Sequence, residues 1–213
     1  MPDFYHLALF CAAAFLLAVT PGPGIFYVAA RTLAGGRAEG VASSFGTGLG
    51  GCVHVLAGSL GVSAVVLASA DLFTVLKLAG SAYLVLIGIR TIRAARRDAS
   101  AAPGAAAPPL GPRRAFREGV LVEALNPKTA AFFLAFVPQF VDPAGNVALQ
   151  FLLLGGVSVV LNTLVDVAVA FAAGGIRNGA AARPALVRRL REGSGAAMVA
   201  LGAGLALAER PVR

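Results

Sequence analysis

Five runs of about 20 or more largely apolar residues, at 4–30, 41–68, 72–92, 117–141 and 147–175, make up most of this chain, and a shorter Gly-rich run follows at 194–208. As helices, such runs match the thickness of a bilayer's hydrocarbon core. In lipid, only helices and closed barrels satisfy their own backbone polar groups. Charged residues are 13% of the 213-residue chain and the mean hydropathy is +0.81, whereas soluble domains carry about 25% charge. The expected fold class is therefore an all-α integral membrane protein of six transmembrane helices. It forms one domain over 1–213, with no material left for a soluble one. Soluble enzymes are excluded by composition, and no phosphate-binding loop, catalytic triad or metal cluster is visible.

The net charge of +8 raises the question of a nucleic-acid partner, but the positions of the charges answer it. Arg31 and Arg37 follow the first run. Arg90, Arg93, Arg96, Arg97, Arg113, Arg114 and Arg117 lie between the third and fourth. Arg177, Arg183, Arg188, Arg189 and Arg191 lie between the fifth and sixth. The alternate loops have no basic residue. Cytoplasmic loops concentrate Arg and Lys, so the expected topology has both termini outside and the Arg-rich loops in the cytoplasm. The partner implied is a lipid bilayer, not nucleic acid. The N-terminal run lacks a basic leader and continues past a signal peptide's length, so it reads as a retained span. Cys11 and Cys52 stand alone in apolar runs and read as small hydrophobes. The only lysines are Lys77 and Lys128. Lys77 suits snorkelling from a span's end, and Lys128 lies deeper.

The first run is interrupted by "TPGPG" at 20–24, and the fourth by "NPK" at 126–128. Pro21 and Pro23 cannot bond the carbonyls of Leu17 and Val19, and Pro127 frees that of Glu123. Asn126 lies 106 positions after Thr20. The same offset sets Ala18 on Ala124, Phe26 on Phe132, and the second run on the fifth. A unit of three spans is odd, so its second copy enters the membrane from the opposite side. The expectation is two inverted three-helix repeats, 1–93 and 117–213, joined by a Pro/Ala/Gly-rich cytoplasmic linker at 94–116. Helices 1 and 4 are the Pro/Gly-broken ones. Matched broken helices in inverted repeats point to a transporter site near the midplane. Freed carbonyls accept from an ammonium, and restarted helix N-termini suit a carboxylate. A zwitterionic amino acid meets both. The expected substrate-binding residues are Thr20, Pro21, Gly22, Pro23, Gly24, Asn126, Pro127 and Lys128.

Gly46, Gly50, His54 and Gly58 recur every four residues on one face of the second span, where small residues allow close helix packing. His54 there reads either as a proton carrier or as a hydrogen-bonded packing residue. The fifth span repeats the spacing with Ser158, Asn162, Asp166, Ala170 and Gly174; Asn162 is assigned to packing. Ionisable groups at this depth are functional candidates by default, so His54, Glu123 and Asp166 are the proton-coupling candidates. Glu123, Lys128 and Asp166 together suggest a charge network, a substrate-binding set with exchanging partners, or a static buried ion pair. Gln139 and Asp142 in "FVPQFVD" read as architecture.

These stretches resemble the LysE/RhtB family of bacterial amino-acid exporters. The resemblance rests on "TPGP" at 20–23, the Gly-rich second span through His54, "LKLAGSAYLVLIG" at 76–88 and "NPKTAAFFLAFVPQFV" at 126–141, in that order. It covers most of the chain outside 94–116. It implies efflux of a small neutral or related amino acid across the bacterial inner membrane by a multi-pass carrier, an antiporter driven by protons, and no enzyme activity, cofactor or metal. It places Pro21, Gly22, Pro23, Asn126, Pro127 and Lys128 among the family's signature positions, and His54 resembles the homoserine/threonine branch. The alternatives are a passive channel and a transmembrane thiol-electron carrier. Gly stripes in spans 2 and 3 permit a homodimer. The sequence names neither the amino acid nor the coupling ion.

Overall fold

The computed structural model describes residues 4–68, 70–97 and 109–176, with residues 189, 192, 193, 196, 199, 200, 202–204, 206 and 207 farther on. Among the described residues it is helical throughout, without a strand. The elements are α1 (Phe4–Val19), α2 (Pro23–Gly35), α3 (Arg37–Ala68), α4 (Ala70–Arg97), α5 (Pro112–Ala124), α6 (Pro127–Ala131) and α7 (Val147–Ile176). After α6 the chain continues as a π-helical turn, Phe132–Phe136, and a 3₁₀ turn, Val137–Phe140.

Proline sets three of these starts. Pro23, Pro112 and Pro127 each occupy the first position of their helix, where a missing N–H costs nothing and φ is already helical. Gly36 (φ 84°) ends α2, its N–H donating to the Thr32 carbonyl at 2.9 Å.

Both interrupted runs are bent, α1 to α2 by 48° and α5 to the 127–140 segment by 42°. Counted as one span each, they join α3 and α7 as four segments long and apolar enough to cross a membrane. The expected third span lies within α4, whose 28 residues extend about 42 Å at helical rise. The expected sixth span is described only at scattered helical residues. The centre of the 94–116 linker, both termini and the Lys77 side chain lie outside the described residues, so the six-span count and the orientation rest on sequence.

Glycine decides how closely the helices pack. A Cβ on Gly46 would lie 2.2 Å from the Phe116 carbonyl oxygen, and one on Gly50 would lie 2.5 Å from that of Val120. On the opposing helix, a Cβ on Gly119 would meet the Ser43 carbonyl at 2.8 Å. So α3 and α5 touch backbone to backbone. Farther along α3, a Cβ on Gly58 would strike the Phe151 ring at 2.4 Å. The stripe expected from sequence is thus consumed inside the chain, and span 2 offers none of it to a second copy. A neighbouring face of α3 exposes Phe45, Leu49, Val53, Leu56 and Leu60, as suits contact with lipid.

One apolar core lies at the α1 N-terminal end of the bundle. Phe10, Phe132, Phe133, Val137, Phe151 and Leu154 are buried together there. Phe132 stacks on Phe136 at 5.0 Å between ring centres, and Phe10 meets Phe140 edge-on at 5.2 Å. Asp142 serves the turn into α7: its N–H donates to Gln150 Oε1, and Gln150 Nε2 returns a bond to the Asp142 carbonyl, whereas Gln139 Nε2 donates back to the Ala135 carbonyl.

Candidate functional site

The two breaks face each other in the middle of the bundle. α1 runs 16 residues before its break and α5 runs 13, so each interruption falls about 20–24 Å along its span. At the first break, Thr20 turns its Oγ1 back to donate to the Leu16 carbonyl at 2.6 Å. Gly22 is extended, and α2 restarts at Pro23. At the second break, Asn126 caps α6 by accepting the Lys128 N–H at 3.0 Å on its Oδ1.

Lys128 joins them. Its side chain is 4% exposed and crosses to the other break, where Nζ donates to the carbonyls of Thr20 (3.0 Å) and Leu17 (3.2 Å). The Leu17 oxygen is the one that Pro21 leaves without its i+4 donor; the Thr20 N–H, shared with the Leu16 carbonyl, also reaches it at 3.2 Å. A cation at a helix C-terminus is favoured by the dipole, and these oxygens cost several kcal/mol each if left bare in lipid. Gly22 eases the passage, because a Cβ there would crowd Lys128 Cδ, Cε and Nζ at 3.2 Å.

Glu123 is the matching anion. It is 3% exposed, and its two oxygens accept from Asn126 Nδ2 (2.9 Å) and Thr129 Oγ1 (2.6 Å) at the start of α6. A Cβ on Gly24 would lie 2.7 Å from Glu123 Oε2, so glycine lets the carboxylate approach the first turn of α2 as well. Two helix starts therefore converge on one carboxylate, the arrangement their partial positive charge favours. The Glu123 carbonyl, freed by Pro127, accepts from His54 Nε2 at 2.9 Å. A carbonyl only accepts, so that nitrogen carries the proton. The imidazole also stacks on Phe133, 6.1 Å away and 11° from parallel.

Asp166 belongs to a third group. It is fully buried, and its Oδ2 accepts from Thr47 Oγ1 (2.7 Å) and Asn162 Nδ2 (3.4 Å), whereas Oδ1 has no hydrogen-bond partner. Of the sequence's three alternatives for these charges, a static pair is not what the geometry presents. Lys128 binds main-chain oxygens, Glu123 binds neutral donors, and Asp166 bonds between α3 and α7. A cavity of about 20 Å³ is lined by Leu17, Thr47, Glu123, Lys128, Thr129 and Asn162 among others, reaching Asp166's partners Thr47 and Asn162 but not Asp166 itself. That space holds about one water and is too small for an amino acid. The aromatic core closes one side of it.

Polar contacts that sequence reading passed over tie α2 and α3 to the start of α5. Tyr27 donates to the Ala115 carbonyl at 2.9 Å. Buried Glu39 accepts the backbone N–H groups of Leu110 (2.8 Å) and Gly111 (2.7 Å), and pairs with buried Arg31 at 3.9 Å. Arg31 had counted only as a loop charge. The available signal was Glu39 itself, an acid two residues from Arg37 in a cluster otherwise basic. Cys11 and Cys52 are unpaired, on α1 and α3. Among the described residues, no group of three or more His, Cys, Asp or Glu side chains could hold a metal ion.

Comparison with known proteins bears on this arrangement. The family model described as "LysE type translocator" matches residues 15–209. The chain is 32% identical over 152 residues to the homoserine/homoserine lactone efflux protein of Salmonella typhimurium, covering 70% of this chain and 71% of that one. It is 28% identical over 143 residues to the leucine efflux protein of Klebsiella pneumoniae, covering 64% and 63%. An uncharacterised membrane protein of Pseudomonas aeruginosa is 36% identical over 143 residues, 66% of this chain and 65% of its own length. No solved structure gives a significant match.

Proposed function

The chain belongs to the LysE type translocators, transporters and not enzymes, and we propose that it exports a small neutral amino acid, of the homoserine or leucine kind, across the bacterial cytoplasmic membrane. The observation that carries this reading is the meeting of the two breaks. At the end of α1 the Leu17 and Thr20 carbonyls receive an ammonium, and at the start of α6 side-chain donors hold a carboxylate, beside a cavity lined by Leu17, Glu123, Lys128 and Thr129, in a chain whose relatives are named for homoserine and leucine efflux. Thr20, Pro21, Gly22, Pro23 and Gly24 on one side, with Asn126, Pro127 and Lys128 on the other, form the substrate site.

Alternating access between two inverted repeats suits this arrangement. Under the offset of 106, Gly22 corresponds to Lys128, whose side-chain end passes Gly22. Phe132 and Phe133 line the cavity on one side, and polar contacts tie α2 and α3 to the start of α5; these are the contacts that we assign to opening on the two sides in turn. For coupling, formal charges on Glu123, Asp166 and Lys128 leave one excess negative charge in the bundle. A charge at a span's centre costs at least about 2.5–3.5 kcal/mol. One entering proton balances it, and the orphan Oδ1 of Asp166 is the place we assign to that proton. His54, whose Nε2 is committed to the Glu123 carbonyl, fits the packing role better than the carrier role.

The test is uptake of a panel of labelled amino acids into inverted membrane vesicles, with and without a proton-motive force. Accumulation of homoserine, leucine or a close relative that collapses with an uncoupler is expected. A panel that equilibrates without accumulating would leave a channel, and a panel that does not enter would refute the reading.

A further inference from the structure

The places that a zwitterion would occupy are filled by the protein's own charges. A substrate ammonium would seek the Leu17 and Thr20 carbonyls, where Lys128 Nζ donates at 3.2 and 3.0 Å. A substrate carboxylate would seek the start of α6, where Asn126 Nδ2 and Thr129 Oγ1 already hold Glu123 at 2.9 and 2.6 Å. The two occupants differ in freedom. Glu123 is carried on α5 beside the break and is gripped through both oxygens, with its own helix backbone packed against Gly50. Lys128 sits at the end of four flexible methylenes and arrives from the opposite break, past a glycine.

We infer that Lys128 is a tethered surrogate for the substrate's ammonium: it fills the carbonyl subsite at the end of α1 while the carrier is empty, and a primary amine displaces it on loading. This rests on the reading of the breaks as the substrate site. Three consequences follow. The empty carrier never exposes bare carbonyls to the membrane interior while its cavity is small. The displaced ammonium stays in a cavity that Glu123 also lines, so the exchange keeps the charge balance of the site. Finally, the subsite reads the ammonium and not the carboxylate, since Glu123 retains the side-chain donors at α6. Amines without a carboxylate therefore compete for it.

A thermal-shift titration of purified protein in detergent tests this, using 3-methylbutylamine (leucine without its carboxylate), L-leucine and L-homoserine as probes. A competitor that occupies a subsite 90–99% of the time weakens apparent affinity by roughly 10–100-fold. Lys128→Met should therefore reach half-saturation at a concentration at least ~10-fold lower than the unaltered protein, with 3-methylbutylamine acting as effectively as leucine. Gly22→Ala keeps the charge but crowds Lys128 Cδ, Cε and Nζ at 3.2 Å; it should sharpen affinity by roughly 2–5-fold, intermediate between the two. This second variant decides the matter if Lys128→Met does not fold. Unchanged or weaker binding in the folded variants overturns the inference, because Lys128 would then be a substrate contact or a strut. So does the absence of any response to all three probes. Vesicle export by the unaltered protein reads the other question. If it exports none of the panel while the amine binds Lys128→Met more tightly, the subsite stands and the proposed cargo falls.

Discussion

Removing the hydroxyl that holds Glu123 gives the sharpest test of how the second break is built. In Thr129→Val, a nearly isosteric change deletes the 2.6 Å bond to Glu123 Oε1 and leaves Oε2 with Asn126. Both residues are buried, and a valine methyl takes the place of the hydroxyl beside Oε1, so the direct donor is lost. A hydrogen bond to a charged group contributes about 1.5–3 kcal/mol, and in a chain of this size 1 kcal/mol moves Tm by roughly 2–4 °C. Thr129→Val should therefore lower Tm in detergent by ~3–12 °C. Glu123→Gln makes the comparison decisive. Its amide oxygen still accepts from Asn126 Nδ2, and its NH₂ donates to Thr129 Oγ1, so the contact survives as a neutral one of about 0.5–1.5 kcal/mol. Adding Thr129→Val to that background should cost correspondingly less, leaving a coupling of about 1 kcal/mol or more in the double-mutant cycle. A Thr129→Val melt within 1 °C of the unaltered protein, or strictly additive effects, would refute the claim that Thr129 grips an ionised Glu123.

Three further outcomes follow from other parts of the structure. Gly50→Ala places a methyl 2.5 Å from the Val120 oxygen and 2.9 Å from the Ala124 nitrogen, so it should destabilise by about 1–3 kcal/mol; Gly156→Ala, with nothing within 4 Å, should melt within ~0.5 kcal/mol of the unaltered protein. Glu39→Gln weakens the acceptor of the Leu110 and Gly111 N–H groups and should lower thermal stability by about 1.5–3 kcal/mol, an effect that unchanged melting would contradict. Asp166→Asn should reduce proton-driven export at least ~10-fold at equal membrane abundance in the vesicle assay, whereas full retention of driven accumulation would remove Asp166 from the coupling role.

Local sequence was sufficient wherever chain chemistry acts within one turn. Proline at 21, 23 and 127 has no N–H to give, so two helices had to break there, and Asn126 had to cap what followed. Glycine at every fourth residue of the second span announced a close crossing, and α3 meets α5 and α7 on that stripe. The span limits shifted mainly at their Arg-rich ends, because helices there continue into charged residues that hydropathy discounts. Arg31 and Glu39 illustrate this: each reads alone as a loop charge, and only their burial against α5's entry makes them a pair.

Apolar runs long enough for lipid, the charge bias between loops, and the matched breaks were fixed by residue type and spacing alone, since hydrophobicity and a missing amide proton do not depend on partners. Tertiary structure decided which orphan found which partner. Lys128 reaches Leu17 across 111 residues, His54 reaches the Glu123 carbonyl across 69, and Thr47 reaches Asp166 across 119. A freed carbonyl specifies that some donor must come; the packing of distant helices selects the donor.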